Sequence, residues 1–219
     1  SMRLITFLSL FISINLYGHG NSTSDNAASL DNFARQIISL INHLDLKNIH
    51  YIGNSMGGNV GYKLLELNEK LFLSFTTFGT TAELHISPAT TKILLFTYKL
   101  LNMKSIANLS KASSKNIEAK NLIFEMFSEM DKTSLLQIVP LLADFNFLPV
   151  IENTKLPVMI IQGGKDTDIN RSIGSTIAAF EKRGNFNYKH LPGAGHFANL
   201  DCPDVFNRTV EEFLEQIQH

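Results

Sequence analysis

Asn48-Ile49-His50-Tyr51-Ile52-Gly53-Asn54-Ser55-Met56-Gly57-Gly58 holds the turn on which the reading of this chain depends. Asn48 to Ile52 is a short apolar strand, and Met56 to about Leu67 has a helical pattern. Gly53-Asn54-Ser55-Met56-Gly57 joins the two. A serine at so sharp a strand-to-helix turn has its hydroxyl pushed out beyond the end of a sheet, and small residues two positions to either side permit the turn. Glycine is expected at 53 and 57 because a Cβ would collide where strand and helix pass closely. The bare pattern Gly-x-Ser-x-Gly recurs by chance in many proteins. Its setting between a strand and a helix gives it weight.

Two further segments lie downstream in a telling order. Pro157-Val158-Met159-Ile160-Ile161-Gln162-Gly163 reads as a buried strand with Gly164-Lys165-Asp166 at its carboxyl end. Phe186-Asn187-Tyr188-Lys189-His190-Leu191 reads as another, followed by Pro192-Gly193-Ala194-Gly195-His196. Serine, then aspartate, then histidine is the order found in α/β-hydrolases. The segments Asn54–Gly58, Gly163–Asp166 and Gly193–Phe197 resemble that superfamily's nucleophile, acid and base segments. The resemblance runs from about Asn15 to the C-terminus. It implies an α/β fold, with a mostly parallel sheet flanked by helices, and a serine hydrolase acting on carboxylic esters.

Each candidate residue has a chemical reason. A free serine hydroxyl is a poor nucleophile, so an imidazole must take its proton as attack begins. His196, in a Gly-rich loop after a strand, is the candidate base, and Asp166 would fix its tautomer and stabilise the imidazolium. Asp168 lies two residues on, but the Gly-Gly-Lys-Asp wording favours Asp166. Met56 opens a helix, and its backbone N–H would face a developing oxyanion. Asn54 and His19 are the candidate substrate-binding residues. His43, His50, His85 and His190 carry no motif and read as structural or solvated.

Elsewhere the chain alternates as a parallel α/β fold should. Ser29 can cap a helix with the apolar stripe Leu30, Phe33, Ile37, Ile38, Ile41 and Leu44. Leu71–Phe78 is a further strand, and Val205–Ile217 an amphipathic C-terminal helix. From about Glu83 to Leu148 the alternation stops, with three helical patterns and no convincing strand. This stretch resembles the helical cap of many α/β-hydrolases. The expected organisation is one domain over residues 2–219 with a cap insertion at about 83–148.

The front of the chain has two readings. Met2-Arg3 and the apolar run Leu4–Ile14 resemble a secretory signal, and residues 2–16 acting so would send the protein outside the cell. No small-x-small cleavage site follows, however, and the run is too short to span a bilayer. Read instead as a buried parallel strand, it leads into Asn15-Leu16-Tyr17-Gly18-His19-Gly20-Asn21-Ser22. That stretch resembles the Asp-x-x-Gly-x-Gly-x-Ser turn after the superfamily's fourth strand, with Asn15 in place of Asp. This register favours the strand and a cytoplasmic protein. It also implies that the superfamily's first three strands and its second oxyanion donor are missing. The expected consequences are a homo-oligomer built through Leu4–Ile14 and weakened activity.

Composition excludes several classes. A net charge of −1 gives no electrostatic footprint for nucleic acid, and no zinc-finger spacing occurs. The single cysteine, Cys202, cannot form an internal disulfide, and reads as a small buried side chain near a helix start. No His, Cys and carboxylate cluster has metal-ligand spacing, so neither metal nor cofactor is expected. The expected partner is a small ester. Gly-Asn-Ser-Met-Gly-Gly also resembles the wording of carbon–carbon bond hydrolases. A truncated, weakly active relative serving as an oligomerising or interaction module is the alternative from outside enzymology.

Overall fold

A computed structural model describes residues 10–22, 28–114 and 116–217 of the chain. Its centre is a four-stranded parallel sheet of β1 (Ile49–Asn54), β2 (Phe72–Phe78), β5 (Val158–Gly163) and β6 (Phe186–Leu191), in the spatial order β1-β2-β5-β6. Parallel neighbours need crossovers, and helices supply them. α2 (Met56–Asn68) links β1 to β2, and α8 (Thr167–Asn170) and α9 (Gly174–Arg183) link β5 to β6. α1 (Leu30–His43) precedes β1, and α10 (Ala198–Asp201) and α11 (Pro203–Ile217) follow β6.

The central strand β5 shows why the sequence reads as an unbroken apolar run. Val158 and Ile160 enter one core with Phe33 and Ile37 of α1 and Val60 and Leu64 of α2. Met159 and Ile161 point the other way, into a second core with Phe206, Val210 and Phe213 of α11. Both sheet faces are covered, so alternate residues are apolar alike. The helices are stopped and started by their own sequence. Ser29 accepts a hydrogen bond from the Asn32 N–H at 3.0 Å, which starts α1 as its N-cap.

Between β2 and β5 the chain departs in detail from expectation. Over residues 83–147, where three helices were expected, four α-helices lie among the described residues: α3 (Pro88–Leu100), α4 (Met103–Ser110), α5 (Ile117–Ser128) and α6 (Lys132–Leu141). α4 packs on α5, and α3 on α6. A strand pair escaped the sequence reading, with β3 (Glu83–His85) antiparallel to β4 (Asp144–Asn146), before the short α7 (Leu148–Asn153). Strands of three residues are too short to show an alternation, and their pairing joins positions about sixty residues apart. The ribbon brings the helical segment back to the point where it left.

The Leu4–Ile14 strand is not observed where it can be checked. Residues 4–9 lie outside the described residues. Residues 10–14 form no strand, and Leu10 and Phe11 are 79% and 85% exposed. Among the described residues β1 is paired only with β2, on one side. The turn that follows is built, with Gln36 of α1 as its anchor. The Gln36 side chain accepts from the Tyr17 N–H at 3.0 Å and donates to the Asn15 carbonyl at 3.2 Å. No helix among the described residues is long and apolar enough to cross a membrane.

Candidate active site

Ser55, Asp166 and His196 follow the carboxyl ends of β1, β5 and β6, the end at which parallel α/β sheets hold their ligands. Ser55 has φ 51° and ψ −120°, a conformation that a residue with a side chain adopts at a cost of about 1–3 kcal/mol. Hydrogen bonds hold it there. Its N–H donates to the Phe78 carbonyl at the end of β2 at 3.0 Å, and its own carbonyl accepts from Gly58 N–H at 2.9 Å and Asn59 N–H at 3.3 Å. The Tyr51 hydroxyl, on the strand before the turn, donates to the Gly57 carbonyl at 2.7 Å. Burial raises the Tyr51 pKa above the ordinary tyrosine value, so the hydroxyl remains protonated and a donor.

The glycines of the turn are not equivalent. A Cβ on Gly53 would stand 2.5 Å from the Gly57 carbonyl oxygen and 2.7 Å from the Gly58 nitrogen, so glycine is required there. A Cβ on Gly57 would meet nothing within 4 Å, contrary to the expectation from the motif. The second crowded position is Gly58, whose Cβ would stand 2.5 Å from the Thr77 hydroxyl and closer still to the Thr80 methyl.

Asp166 and His196 are in direct contact, with His196 Nδ1 2.8 Å from Asp166 Oδ2. Facing a carboxylate, which accepts, Nδ1 is the donor, and in the neutral ring this leaves Nε2 with its lone pair. Asp166 is 7% exposed, and its other oxygen accepts from Ile169 N–H at 3.5 Å as the N-cap of α8. Asp168 points into solvent with its side chain 90% exposed, 3.7 Å from Arg171. The acid turn is shaped by Asn170, which the sequence reading passed over. Its amide donates to the Gly163 and Gly164 carbonyls at 3.0 and 3.4 Å.

Asn54 and Gly79 join the serine turn to the histidine loop. The Asn54 amide donates to the His196 carbonyl at 3.0 Å and the Phe78 carbonyl at 3.3 Å, so its N–H groups serve the scaffold. Gly79, at φ 59°, fills the corner between them. A Cβ there would stand 2.5 Å from the His196 carbonyl oxygen and 2.7 Å from the Asn54 amide nitrogen. Nothing in the sequence singled out Gly79 beyond its place after an apolar strand. Met56 begins α2 directly after Ser55 and packs against the main core.

His19 makes contacts with its own turn and with α1. Its Nδ1 lies 3.1 Å from the Tyr17 carbonyl and its ring stands edge-on to Phe33, with centroids 6.2 Å apart. Cys202 is half-buried rather than buried, immediately before α11. Two cavities, of about 260 and 540 Å³, lie by Ile41 and Lys70 and between Tyr17 and His43. Neither is lined by Ser55, Asp166 or His196. Among the described residues no three His, Cys, Asp or Glu side chains are grouped to hold a metal ion.

Comparison with known proteins agrees with this architecture. Over 221 aligned positions the chain is 23% identical to a Haemophilus influenzae protein provisionally named an esterase/lipase, covering 94% of this chain and 74% of that one. It is 25% identical over 195 positions to the 2-hydroxy-6-oxononadienedioate/2-hydroxy-6-oxononatrienedioate hydrolase of Paraburkholderia xenovorans, covering 83% and 67%. The enol-lactonase from Burkholderia xenovorans LB400 superposes with a TM-score of 0.80 at 20% identity, over 91% of this chain and 78% of that one. The model of the alpha/beta hydrolase family matches residues 3–209. With nearly its whole length matched and its parallel sheet flanked by helices, this chain belongs to the alpha/beta hydrolase family.

Proposed function

We propose that this protein is a serine hydrolase of carboxylic esters, with Ser55 as nucleophile, His196 as general base and acid, and Asp166 as the group that orients it. One observation carries the reading. A buried carboxylate 2.8 Å from His196 Nδ1 leaves Nε2 as the basic nitrogen, in a loop bonded to the residue before a serine of positive φ. As Ser55 Oγ bonds to the ester carbonyl carbon, its proton passes to His196 Nε2. The tetrahedral adduct collapses with loss of the C–O bond, and His196 returns the proton to the departing alcohol. Water then attacks the acyl-enzyme by the same route, releasing the acid and restoring Ser55. The Met56 N–H at the start of α2 is the proposed oxyanion donor, favoured by the helix dipole.

The helical segment from α3 to α6 is proposed as a cap over this site, which its return through the β3–β4 ribbon supports. A screen of chromogenic esters of increasing acyl length tests the activity. Turnover that disappears in Ser55→Ala supports the reading, and turnover undiminished in that variant refutes it. A second reading, cleavage of a carbon–carbon bond, is favoured by the similarity to the Paraburkholderia xenovorans hydrolase. It requires that a 2-hydroxy-6-oxo-dienoate be consumed faster than any ester in the screen. Self-association through the N-terminal segment Leu4–Ile14 is proposed as well, and light scattering that reports a monomer would end it.

A further inference from the structure

We infer that Asp201 is a positioning residue whose single carboxylate locks the linker between α4 and α5 to the loop bearing His196, so that helical segment and base move as one piece. The inference rests on the reading of His196 as the base. Asp201 ends α10, five residues beyond His196. Its Oδ2 accepts from the N–H of Gly195, the residue before His196, at 2.6 Å. Its Oδ1 accepts from the Ser114 hydroxyl and, at 3.4 Å, from the Asn116 N–H. Asp166 holds the imidazole ring. Asp201 holds the backbone from which that ring projects.

Independent contacts close the same seam. His196 N–H donates to the Ser113 carbonyl at 3.0 Å, and a Cβ on Gly195 would collide with that carbonyl. Ser114 is 1% exposed, so its hydroxyl has given up water for the carboxylate. Hydrogen bonds to an ionised acceptor are about twice as strong as neutral ones, which suits one residue to hold two elements. A shift of the α4–α5 linker is therefore transmitted to the base. A substrate that seats the helical segment well aligns His196, and one that displaces it loses turnover as well as binding.

Asparagine cannot replace this carboxylate, because its NH₂ must face one of the N–H groups that the acid accepts from. Ser114→Ala is the more discriminating change, since it removes a hydroxyl on the helical side only. The test is the rate constant for labelling by a fluorophosphonate, with the amplitude reading the folded fraction. It is paired with amide hydrogen exchange at Gly195. Ser114→Ala should slow labelling by about 3- to 10-fold at full amplitude, and Asp201→Ala by about 10²-fold, the cost of a misplacement near 1 Å. The double variant should match Asp201→Ala, because linked groups are not additive. Gly195 exchange should quicken in Ser114→Ala. Labelling and Gly195 exchange both unchanged in that variant overturn the inference. Wild-type protein that takes no label overturns the reading of the site, and the exchange arm then decides the clasp alone.

Discussion

Replacing Gly53 and Gly57 by alanine, one at a time, tests whether the serine turn is built as the geometry says. The two glycines are symmetrical in the pentapeptide and should behave oppositely. A Cβ at 53 would stand 2.5 Å from the Gly57 carbonyl oxygen and 2.6 Å from its carbonyl carbon. Non-bonded carbons rest at about 3.5–4.0 Å, so the start of α2 must retreat from β1 by about 1 Å. The obstacle is backbone, which cannot rotate aside as a side chain can. Overpacking of this kind costs about 1–3 kcal/mol, a large part of the roughly 5–15 kcal/mol that holds a domain together. The retreat also carries Ser55 away from the histidine loop, and 1 Å of misplacement costs about 10²-fold in rate. At 57 the added methyl meets nothing within 4 Å. There, exchanging glycine for alanine inside a helix should stabilise by about 0.5–1 kcal/mol. Urea unfolding followed by fluorescence or circular dichroism, compared at equal slope, reads both changes. Equal losses in the two variants, or a Gly53→Ala protein as stable as wild type, would refute the reasoning.

Other outcomes follow from the same geometry. Ser55→Ala and His196→Ala should each remove nearly all ester turnover, with the double variant little worse, because the pair acts as a unit; additive losses would separate them. Asp166→Asn should lower kcat by about three to four orders of magnitude through loss of tautomer control, while Asp168→Asn, exposed beside Arg171, should change it less than about tenfold. Reversal of those two effects in steady-state kinetics would reassign the acid. His50, with Nδ1 2.8 Å from the Ser74 hydroxyl, has its pKa held below the ordinary 6.5 by burial. The folded state thus resists a proton that the unfolded chain accepts, so this contribution is whole above the ordinary value and is lost as pH falls from there through the lowered folded-state value. His50→Gln should flatten the fall in urea midpoint over that window, and an undiminished fall would refute it.

The sheet was legible because its signals are local. Val158–Gly163 and Phe186–Leu191 sit where the apolar run and the glycine loop put them, and Ser29 caps α1 as its side chain allows. The serine, the aspartate and the histidine each follow a strand, and parallel strands align their carboxyl ends, so all three fall at one edge of the sheet. What could not be read is what depends on distant partners. The β3–β4 ribbon joins Glu83 to Asn146, and neither three-residue strand has a pattern of its own. The pentapeptide pattern assigns to Gly57 a constraint that belongs to Gly58, because only the packing of Thr77 and Thr80 against the helix distinguishes them. Leu10 and Phe11 are apolar enough for a strand, yet they lie in none and stand exposed. Asp201 had no motif. Its role is visible only once the α4–α5 linker lies against Gly195.

The central claim is that Ser55 is an activated nucleophile, and covalent capture measures this with little demand on substrate recognition. Purified protein incubated with a fluorophosphonate should gain one adduct per chain, found by peptide mass spectrometry on Ser55. The adduct should be absent from Ser55→Ala and formed far more slowly in His196→Ala. Folded protein that takes no label, or label that persists undiminished in Ser55→Ala, would contradict the account.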